Sequence, residues 1–349
     1  MKKAQLLEKI ANQKVQINNL KQFNVVNRTI GLSDEFMTAK QSRDYEYLVL
    51  SGGGIKGVSF LGAIQELAKM NILYDEDNNL KMKGIAATSA GSIIGSLLAI
   101  GYSLEELTIK MLSINFADIA DDKIGYVRDA YNLVTKYGIC KGQYIYDLMG
   151  ELIAEKTGNP DYTLTDLYNE KKIQLIIVTT NQNTNSTVYL NPKHSNTMYS
   201  NIPIRMCVRM SISVPFLFEP YEYNDCLFSD GGVLDNYPIH CFDSEDPSNV
   251  EAMYNDITPN FKTIGLKITS HENHDTQKID HLYDYACSYI ETFLAENNRK
   301  SYIKENWVRT IFIVTPNYPL TKFDLTDKQK TDLIISGKKG VKKYFKNNC

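Results

Sequence analysis

The stretch LSGGGIKGVSF, residues 50–60, places Gly52, Gly53 and Gly54 in a row directly after a hydrophobic segment. Glycine loses more backbone entropy on folding than any other residue, so three in a row are costly inside regular structure. We therefore expect something to approach this backbone too closely for a side chain to be present. Either the loop cradles a phosphate, or its bare N–H groups point at an anion that forms only during a reaction.

The segments on both sides of the glycines have the patterns of a strand and a helix. Residues 45–50 are nearly all apolar, which predicts a strand buried on both faces. Beyond the glycines, apolar side chains recur at helical spacing from Val58 to Ala68, and Asn71 is the expected end of that helix. The glycines therefore form a loop between a buried strand and a helix.

The sequence KGIAATSAGSIIGS, residues 83–96, repeats this order around a serine. Residues 83–88 predict a short strand, and residues 89–100 predict a helix that is apolar or small on all sides and therefore central. The turn ATSAG, from Ala87 to Gly91, differs from the nucleophile elbow G-x-S-x-G only at Ala87. In such an elbow the serine, here Ser89, lies on a strained corner at a helix N-terminus, where free N–H groups and the helix dipole favour a developing oxyanion.

The context of the glycine loop favours an oxyanion site over a nucleotide site. The carboxyl ends of neighbouring parallel strands share one crevice, so the loop and Ser89 face the same space. Residues 52–57 satisfy G-x-G-x-x-G, but no acidic residue closes a second strand about 20 residues later, and the Lys-Ser/Thr pair of a Walker loop is missing. The candidate oxyanion hole therefore comprises Gly52, Gly53, Gly54, Lys56 and Gly57, with a further N–H from Ala90.

The third motif is LFSDGGVLDNYP, residues 227–238, where Asp230 precedes the tight turn Gly231-Gly232 at the end of a strand. An Asp-Gly pair is typical of an ordinary turn. The functional alternative is that Asp230 is the base for Ser89.

A histidine offers a competing base. Together with Ser89 and Asp230, His240 would give the chain order of an α/β-hydrolase triad. It follows Asp230 by only ten residues, on what should be the next helix, so we expect a structural role. The other histidines lie in polar segments: His194, His271, His274 and His281.

Further apolar segments predict the rest of a sheet: 174–180, 187–190, 227–229, 263–268 and 310–315. Strands that alternate with helical patterns predict an α/β fold, here a three-layer α/β/α arrangement around a central, mostly parallel sheet. A closing helix is predicted over 325–346, with Thr326 and Gln329 as its capping box.

Two regions are predicted from the change in character near residue 44. Residues 1–43 are polar and carry fewer than three heptads, which indicates a helical or partly disordered N-terminal arm. Residues 44–349 are expected to form one domain that includes the closing helix. If the chain forms a homodimer or binds an activating protein, we expect the arm to be the contact.

Composition excludes several classes. The 349 residues are 43% hydrophobic with a net charge of −3, so the basic surplus of a nucleic-acid-binding protein is missing. Six cysteines without a C-x-x-C pair predict free thiols in a reducing compartment and no metal site. Glu8 and Lys9 interrupt any signal region, and the longest apolar run, around 93–100, is too short to cross a bilayer.

Taken in order, the three motifs resemble those of the patatin-like phospholipases. That family has a GGGxxG loop containing a basic residue, then a G-x-S-x-G serine, then a D-G-G or D-G-A aspartate. Here the matching segments are 52–57 with Lys56, 87–91 and 230–232. The likeness spans about 45–340, and further similar positions are Ser211–Phe216, Asn236, Pro238 and Thr163–Tyr168.

The resemblance implies a fold and a chemistry. It implies a Ser–Asp dyad of Ser89 and Asp230, without a triad histidine, that forms an acyl-enzyme on a lipid ester and needs no metal or other cofactor. The implied partner is a membrane or micellar lipid. With the scattered cysteines and no signal or membrane-spanning segment, we expect a cytoplasmic protein that is peripheral at membranes. Ala87, where the family has glycine, should affect only the tightness of the turn.

Two segments are candidates for lipid contact. Residues 113–140 are long and irregular in pattern, which is typical of a lid or binding loop. The closing helix carries a row of lysines that is either a solvated face or a site of attraction to anionic lipid: Lys338, Lys339, Lys342, Lys343 and Lys346. The main alternative function is a catalytically silent relative that binds lipid or a partner, against which the intact Ser89 and Asp230 argue.

Overall fold

The computed structural model describes residues 42–120, 126–244, 259–270, 285, 288–293, 304–319 and 322–346. The chain divides into two compact units after residue 44, and the elements named below belong to the unit that begins at Tyr45. Residues 1–41 and three histidines, His271, His274 and His281, lie outside the described residues. The arm, its partners and the domain boundaries therefore stay predictions.

A mostly parallel sheet forms the centre of this unit. The strands in the described residues are β1 (Tyr47–Leu50), β2 (Gly84–Thr88), β3 (Gly138–Cys140), β4 (Gln174–Asn181), β5 (Ser186–Leu190), β6 (Phe216–Phe218), β7 (Tyr221–Tyr223), β8 (Cys226–Asp230), β9 (Thr263–Ser270) and β10 (Thr310–Thr315). Five of them run parallel in the order β10-β9-β1-β2-β4. Strands β5 and β8 pair antiparallel with β4, β7 pairs antiparallel with β8, and β3 and β6 form a separate parallel pair. The predicted α/β class with a mostly parallel central sheet is confirmed.

Helices alternate with the parallel strands along the chain. They are α1 (Ser59–Lys69), α2 (Ala90–Ile100), α3 (Leu104–Ser113), α4 (Tyr126–Lys136), α5 (Gln143–Thr157), α6 (Leu164–Lys171), α7 (Thr197–Ser200), α8 (Ile204–Ser211), α9 (Lys304–Val308) and α10 (Asp327–Lys346). The expectation of an irregular segment over 113–140 is wrong in part, because a 3-10 helix (Phe116–Ala120) and α4 lie there. Apolar residues at helical spacing, Val127, Tyr131 and Val134, are the sequence signal for α4.

The two faces of the sheet are covered differently. On one face, alternate strand residues such as Leu48 and Ile177 join a large core with α1, α2, α5 and α8. On the other face, Val49 and Ile176 belong to a small cluster that packs against Tyr237–Phe242, a segment containing a 3-10 helix. Within the described residues, the third predicted layer is therefore thin compared with the helical layer on the first face.

The closing helix α10 packs closely against α1. Its N-terminus has the predicted capping box, in which the Thr326 N–H donates to Gln329 Oε1 (2.9 Å) and the Gln329 N–H donates to Thr326 Oγ1 (3.3 Å). A Cβ on Gly62 would collide with the carbonyl of Ile334, and one on Gly337 would collide with the carbonyl of Ser59. Because both contacts are to backbone atoms, these glycines let the two helices approach closely. The helix that follows the glycine loop is thereby held in place.

Candidate active site

Strand β4 brings the candidate nucleophile and the candidate base together. One edge of its C-terminal half, residues 177–181, is paired with β5. On the opposite edge, Thr88 at the end of β2 faces Val178, and Asp230 at the end of β8 faces Thr179. Since β2 runs parallel to β4 and β8 runs antiparallel, the two strands meet end to end. Ser89, which follows Thr88, therefore lies beside Asp230.

Ser89 occupies a strained corner between β2 and α2. Its backbone has φ 51° and ψ −126°, on the positive-φ side that side chains rarely adopt. Such a conformation costs about 1–3 kcal/mol and persists only where its surroundings determine it. The residue is 7% exposed, and α2 begins at the next residue, Ala90. The first two N–H groups of α2, those of Ala90 and Gly91, have no intrahelical acceptor and lie beside the serine.

Small residues allow this corner to form. A Cβ on Gly91 would lie 2.7 Å from the carbonyl oxygen of Ser51, so no larger residue fits there. A Cβ on Gly57 would lie 2.9 Å from that of Ala90. Ala87 is fully buried. A Cβ on Gly95 would lie 3.3 Å from the Cβ of Ala87, so the lack of a side chain on Gly95 makes room for the Ala87 methyl group. This accounts for the tolerance of alanine at the first elbow position.

Asp230 is buried with one of its carboxyl oxygens unused. Its Oδ1 accepts the N–H of Gly232 (2.7 Å), whereas Oδ2 has no hydrogen-bond partner among the described residues. Burial raises the pKa of this carboxyl from its ordinary 3.8 to about 7, against the lowering effects of Ser89 and the Gly232 N–H. The Ser89 hydroxyl is thus close enough to influence Asp230 without completing a hydrogen bond to Oδ2. A buried carboxylate with a free acceptor and a pKa near neutrality is suited to act as a base.

A Cβ on Gly231 would collide with the carbonyl of Val178 and lie 3.1 Å from Thr88 Cγ2. Its lack of a side chain allows the turn after Asp230 to lie against the ends of β2 and β4. The Gly232 N–H is the donor that orients the carboxyl group. The two glycines after the aspartate therefore have separate functions in the turn.

The three consecutive glycines differ in function. The Gly52 N–H donates to the carbonyl of Asn236 (3.0 Å), so it is engaged within the fold and is not available as an oxyanion donor. A Cβ on Gly52 would collide with Asn236 Oδ1 and lie 3.2 Å from Ser89 Cβ, which places this residue against the serine. No hydrogen bond among the described residues uses the N–H of Gly53 or Gly54. Gly54 has φ 54°, a left-handed conformation that favours glycine.

The other two residues of the candidate hole have structural contacts. Gly57 lies inside the 3-10 helix Gly54–Val58 and packs against Ala90. The Lys56 ammonium donates to Ser270 Oγ (3.0 Å) at the end of β9. Burial lowers the pKa of Lys56, and Glu291 partly opposes this effect. A contribution of this lysine to oxyanion binding therefore stays a prediction.

His240 lies in a separate buried polar cluster. Its Nε2 is 3.2 Å from the Tyr189 hydroxyl and 3.9 Å from Asp235 Oδ2. Asp235 also accepts a hydrogen bond from Tyr189 (3.0 Å), so the three side chains support one another. None of these contacts reaches Ser89 or Asp230, which agrees with a structural histidine.

Two residues at the site were not assigned a role from the sequence. The Ser211 hydroxyl accepts the N–H of Ser89 (2.8 Å), and the Asn236 carbonyl accepts the N–H of Gly52. Both lie in segments whose likeness to the family is visible in the sequence. Their contacts depend on residues more than 100 positions away, which a single sequence does not show.

No group of three or more His, Cys, Asp or Glu side chains in the described residues could hold a metal ion. No described helix combines the length and the apolar character needed to cross a membrane. Among the described cysteines, Cys207, Cys226 and Cys241 are free thiols.

Comparison with known proteins gives a consistent result. Residues 48–243 match the family model described as patatin-like phospholipase. A mimivirus protein from Acanthamoeba polyphaga mimivirus, the uncharacterized protein R571, is 34% identical over 85% of this chain and 93% of its own length. The probable lipid hydrolase 463L of Invertebrate iridescent virus 6 is 31% identical over 56% of this chain and 62% of its own length.

A solved structure has the same fold. The crystal structure of VipD from Legionella pneumophila matches with a TM-score of 0.55 and 18% sequence identity. The match covers 87% of this chain and 67% of VipD. At this identity the likeness concerns the fold alone, and it supports the α/β assignment.

The pKa of Asp230 predicts that stability depends on pH. Its folded pKa, about 7, lies above its ordinary value of 3.8, so folding favours the neutral form. The neutral carboxyl therefore contributes to the free energy of unfolding, by at most about 4 kcal/mol. This contribution is complete below pH 4 and is lost as the pH rises through 7. We expect Asp230→Asn to melt at a higher temperature than the unaltered protein at pH 8, and the difference to shrink at pH 5.

Thermal melts at the two pH values measure this difference. Asp225→Asn is the control, because Asp225 is exposed and lies on the adjacent hairpin. Equal melting temperatures for Asp230→Asn and the unaltered protein at pH 8 would show that the buried carboxylate is not destabilising.

Proposed function

Because this chain belongs to the patatin-like phospholipase family, we propose that it is a lipid acyl hydrolase of the phospholipase A type, which cleaves fatty-acyl esters of phospholipids or related lipids. The observation that carries the proposal is the adjacency of Ser89, on a strained corner, to a buried Asp230 with an unused acceptor oxygen. The name of the relative 463L, a probable lipid hydrolase, supports the same class of substrate.

The acylation step uses Ser89 as the nucleophile. Its Oγ attacks the ester carbonyl carbon, its proton passes to Asp230 Oδ2, and the carbonyl electron pair moves onto the oxygen. The N–H groups of Gly53, Gly54 and Ala90 are the donors for this oxyanion. When the carbonyl re-forms, the bond to the leaving alcohol breaks, and Asp230 returns the proton to that alcohol. The acyl group stays on Ser89.

Deacylation repeats the sequence with water. Asp230 accepts a proton from the attacking water, the same donors bind the second oxyanion, and the proton returns to Ser89 as the fatty acid leaves. Asp230 must be ionised at the start of each half-reaction. With a pKa of about 7, it is largely ionised just above neutral pH yet more basic than an ordinary carboxylate. Burial thus compensates in part for the absence of a histidine from the dyad.

The lipid must reach this site from a membrane or micelle. Four apolar side chains are exposed on or beside α4 and β6, and we name them the apolar patch: Tyr131, Val134, Tyr137 and Phe216, with 65%, 77%, 59% and 39% exposure. Phe216 faces Gly138 in the β3–β6 pair, next to Tyr137. Ser213, three residues before Phe216, accepts the Asp230 N–H with its carbonyl (2.8 Å). Phe216 thus lies three residues along the chain from a backbone contact of Asp230, and we assign the apolar patch to the lipid surface.

A catalytically silent relative is the alternative. It would bind lipid or a protein partner through the same pocket without using Ser89 as a nucleophile. The cytoplasmic location and the role of the arm in a dimer or with an activator stay predictions. Fluorophosphonate labelling followed by peptide mapping distinguishes the two functions, because only an activated serine becomes covalently modified.

Activity measurements on variants test the dyad. We expect Ser89→Ala to abolish fatty-acid release from phospholipid vesicles, and Asp230→Asn to lose nearly as much activity. The double variant should be no worse than either single one, since the two groups act as a unit. His240→Ala should keep most of the activity; if it is as inactive as Ser89→Ala, the triad is right and the dyad is wrong.

The second prediction concerns the glycine loop. Gly54→Ala should lower kcat by about 10²-fold, the usual cost of losing an oxyanion donor, because the added side chain disturbs the left-handed conformation that aims the N–H. KM for a soluble ester should change little, because the contact matures in the transition state. Gly158→Ala is the control, since Gly158 has φ +74° and open space around its Cβ position. Equal kcat values for the two variants would contradict the assignment.

The third prediction concerns the lipid surface. Val134→Asp should weaken co-sedimentation with phospholipid vesicles about tenfold or more, because a buried apolar contact of about 1.5–3 kcal/mol is replaced by a charge. Hydrolysis of a soluble ester should be unchanged. Ile109→Asp is the matched control, because Ile109 is 59% exposed on a different helix, α3. Undiminished vesicle binding by Val134→Asp would place the lipid surface elsewhere.

A further inference from the structure

A single buried hydroxyl connects the corner at Ser89 to the central sheet. Ser211, at the end of α8, is fully buried; its Oγ accepts the Ser89 N–H (2.8 Å) and donates to the carbonyl of Val178 (2.6 Å). Val178 is the residue that faces Thr88 in the β2–β4 pairing. The hydroxyl therefore stands where the β2–β4 ladder ends and bridges the first N–H beyond it to β4.

The backbone N–H and the backbone carbonyl of Ser89 are held by different numbers of hydrogen bonds. Its carbonyl accepts both the N–H of Ser92 (2.8 Å) and the Ser92 hydroxyl (2.6 Å). Its N–H donates to Ser211 Oγ, the one acceptor that this group has among the described residues. The strained backbone conformation of Ser89 persists only because its surroundings impose it. Loss of the Ser211 hydroxyl removes the hydrogen bond that holds the Ser89 N–H.

The same short segment also holds Asp230. The carbonyl of Ser213 accepts the Asp230 N–H (2.8 Å). The Ser213 hydroxyl donates to the Arg209 carbonyl (2.6 Å) and accepts from the Arg209 guanidinium, which also donates to the carbonyl of Glu219 (2.9 Å). Ser211 and Ser213, two residues apart on one turn, thus accept the backbone N–H groups of Ser89 and Asp230.

We propose that Ser211 is a positioning residue, whose bridging hydroxyl, together with the carbonyl of Ser213, sets the distance between Ser89 Oγ and Asp230 Oδ2. The inference rests on the proposed function, since it takes Ser89 as the nucleophile. Ser211 does not touch the substrate; it acts through the Ser89 backbone. A displacement of about 1 Å at a reacting atom is enough to lower a rate by about 10²-fold.

The test compares Ser211→Ala with Ser96→Ala. Ser96 is a fully buried serine on α2 whose Oγ has no hydrogen-bond partner among the described residues, so it controls for the loss of a buried hydroxyl. The readouts are kcat and KM on a soluble p-nitrophenyl ester, the rate of fluorophosphonate labelling, and the melting temperature.

We expect kcat and the labelling rate of Ser211→Ala to fall about 10²-fold with KM within threefold, because substrate binding is untouched while the nucleophile is displaced. Ser96→Ala should stay within twofold of the unaltered protein in every readout. A change in KM with an unchanged labelling rate would contradict the proposal, as would a Ser211→Ala protein as active as Ser96→Ala.

If Ser211→Ala does not fold, Ser211→Cys decides, because a thiol has a similar size but accepts hydrogen bonds only weakly. Its labelling rate should fall at least tenfold, and a rate equal to that of the unaltered protein would overturn the proposal. Failure of the proposed function is distinguished by the behaviour of the unaltered protein. If the unaltered protein neither labels nor hydrolyses the ester, the proposed function is wrong, and this inference with it.

Discussion

The site depends on the sharing of one edge of β4 by two strands. A strand has two edges, and β5 occupies one of them along residues 177–181. The parallel β2 and the antiparallel β8 must therefore meet end to end on the other edge, at Val178 and Thr179. Neither can continue past the other, so each ends in a turn at the meeting point. The candidate nucleophile, Ser89, and the candidate base, Asp230, are the residues at those turns.

This arrangement leaves backbone groups that the sheet cannot satisfy. A buried N–H without an acceptor costs about 1–3 kcal/mol. The N–H groups of Ser89 and Asp230 lie at the junction, and they find acceptors in the Ser211 hydroxyl and the Ser213 carbonyl. The turn after α8 thus completes the hydrogen bonding of two interrupted strands. The same two hydrogen bonds therefore satisfy the backbone and position the candidate dyad.

The candidate base, Asp230, is buried at a cost in stability. Asp230 is 2% exposed, and only one of its oxygens is hydrogen-bonded within the described residues. A second hydrogen-bond donor would satisfy Oδ2. It would also occupy the lone pair that accepts the Ser89 proton in the proposed mechanism. The unsatisfied oxygen and the raised pKa therefore have one cause, the withdrawal of this carboxyl group from water.

The glycine loop is joined to the same junction by Asn236. The peptide carbonyl of Asn236 accepts the Gly52 N–H, and its side-chain oxygen occupies the space that a Cβ on Gly52 would fill. Since Asn236 lies six residues after Asp230, the turn that carries the base also fixes the start of the loop. The remaining end of the loop runs into α1, which α10 holds through the contacts at Gly62 and Gly337.

The sequence by itself determined the α/β class, most strand positions and the identity of the candidate dyad. Those features are local: buried strands are continuous apolar runs, and tight corners demand small residues such as Gly91 and Gly231. It also predicted the capping box at Thr326, whose two partners are three residues apart. Tertiary structure alone decided which N–H of the glycine loop is engaged, since the acceptor of Gly52 lies 184 positions along the chain at Asn236. It alone decided the role of Ser211, because a serine's partners follow from packing between distant segments and leave no periodic pattern in the chain.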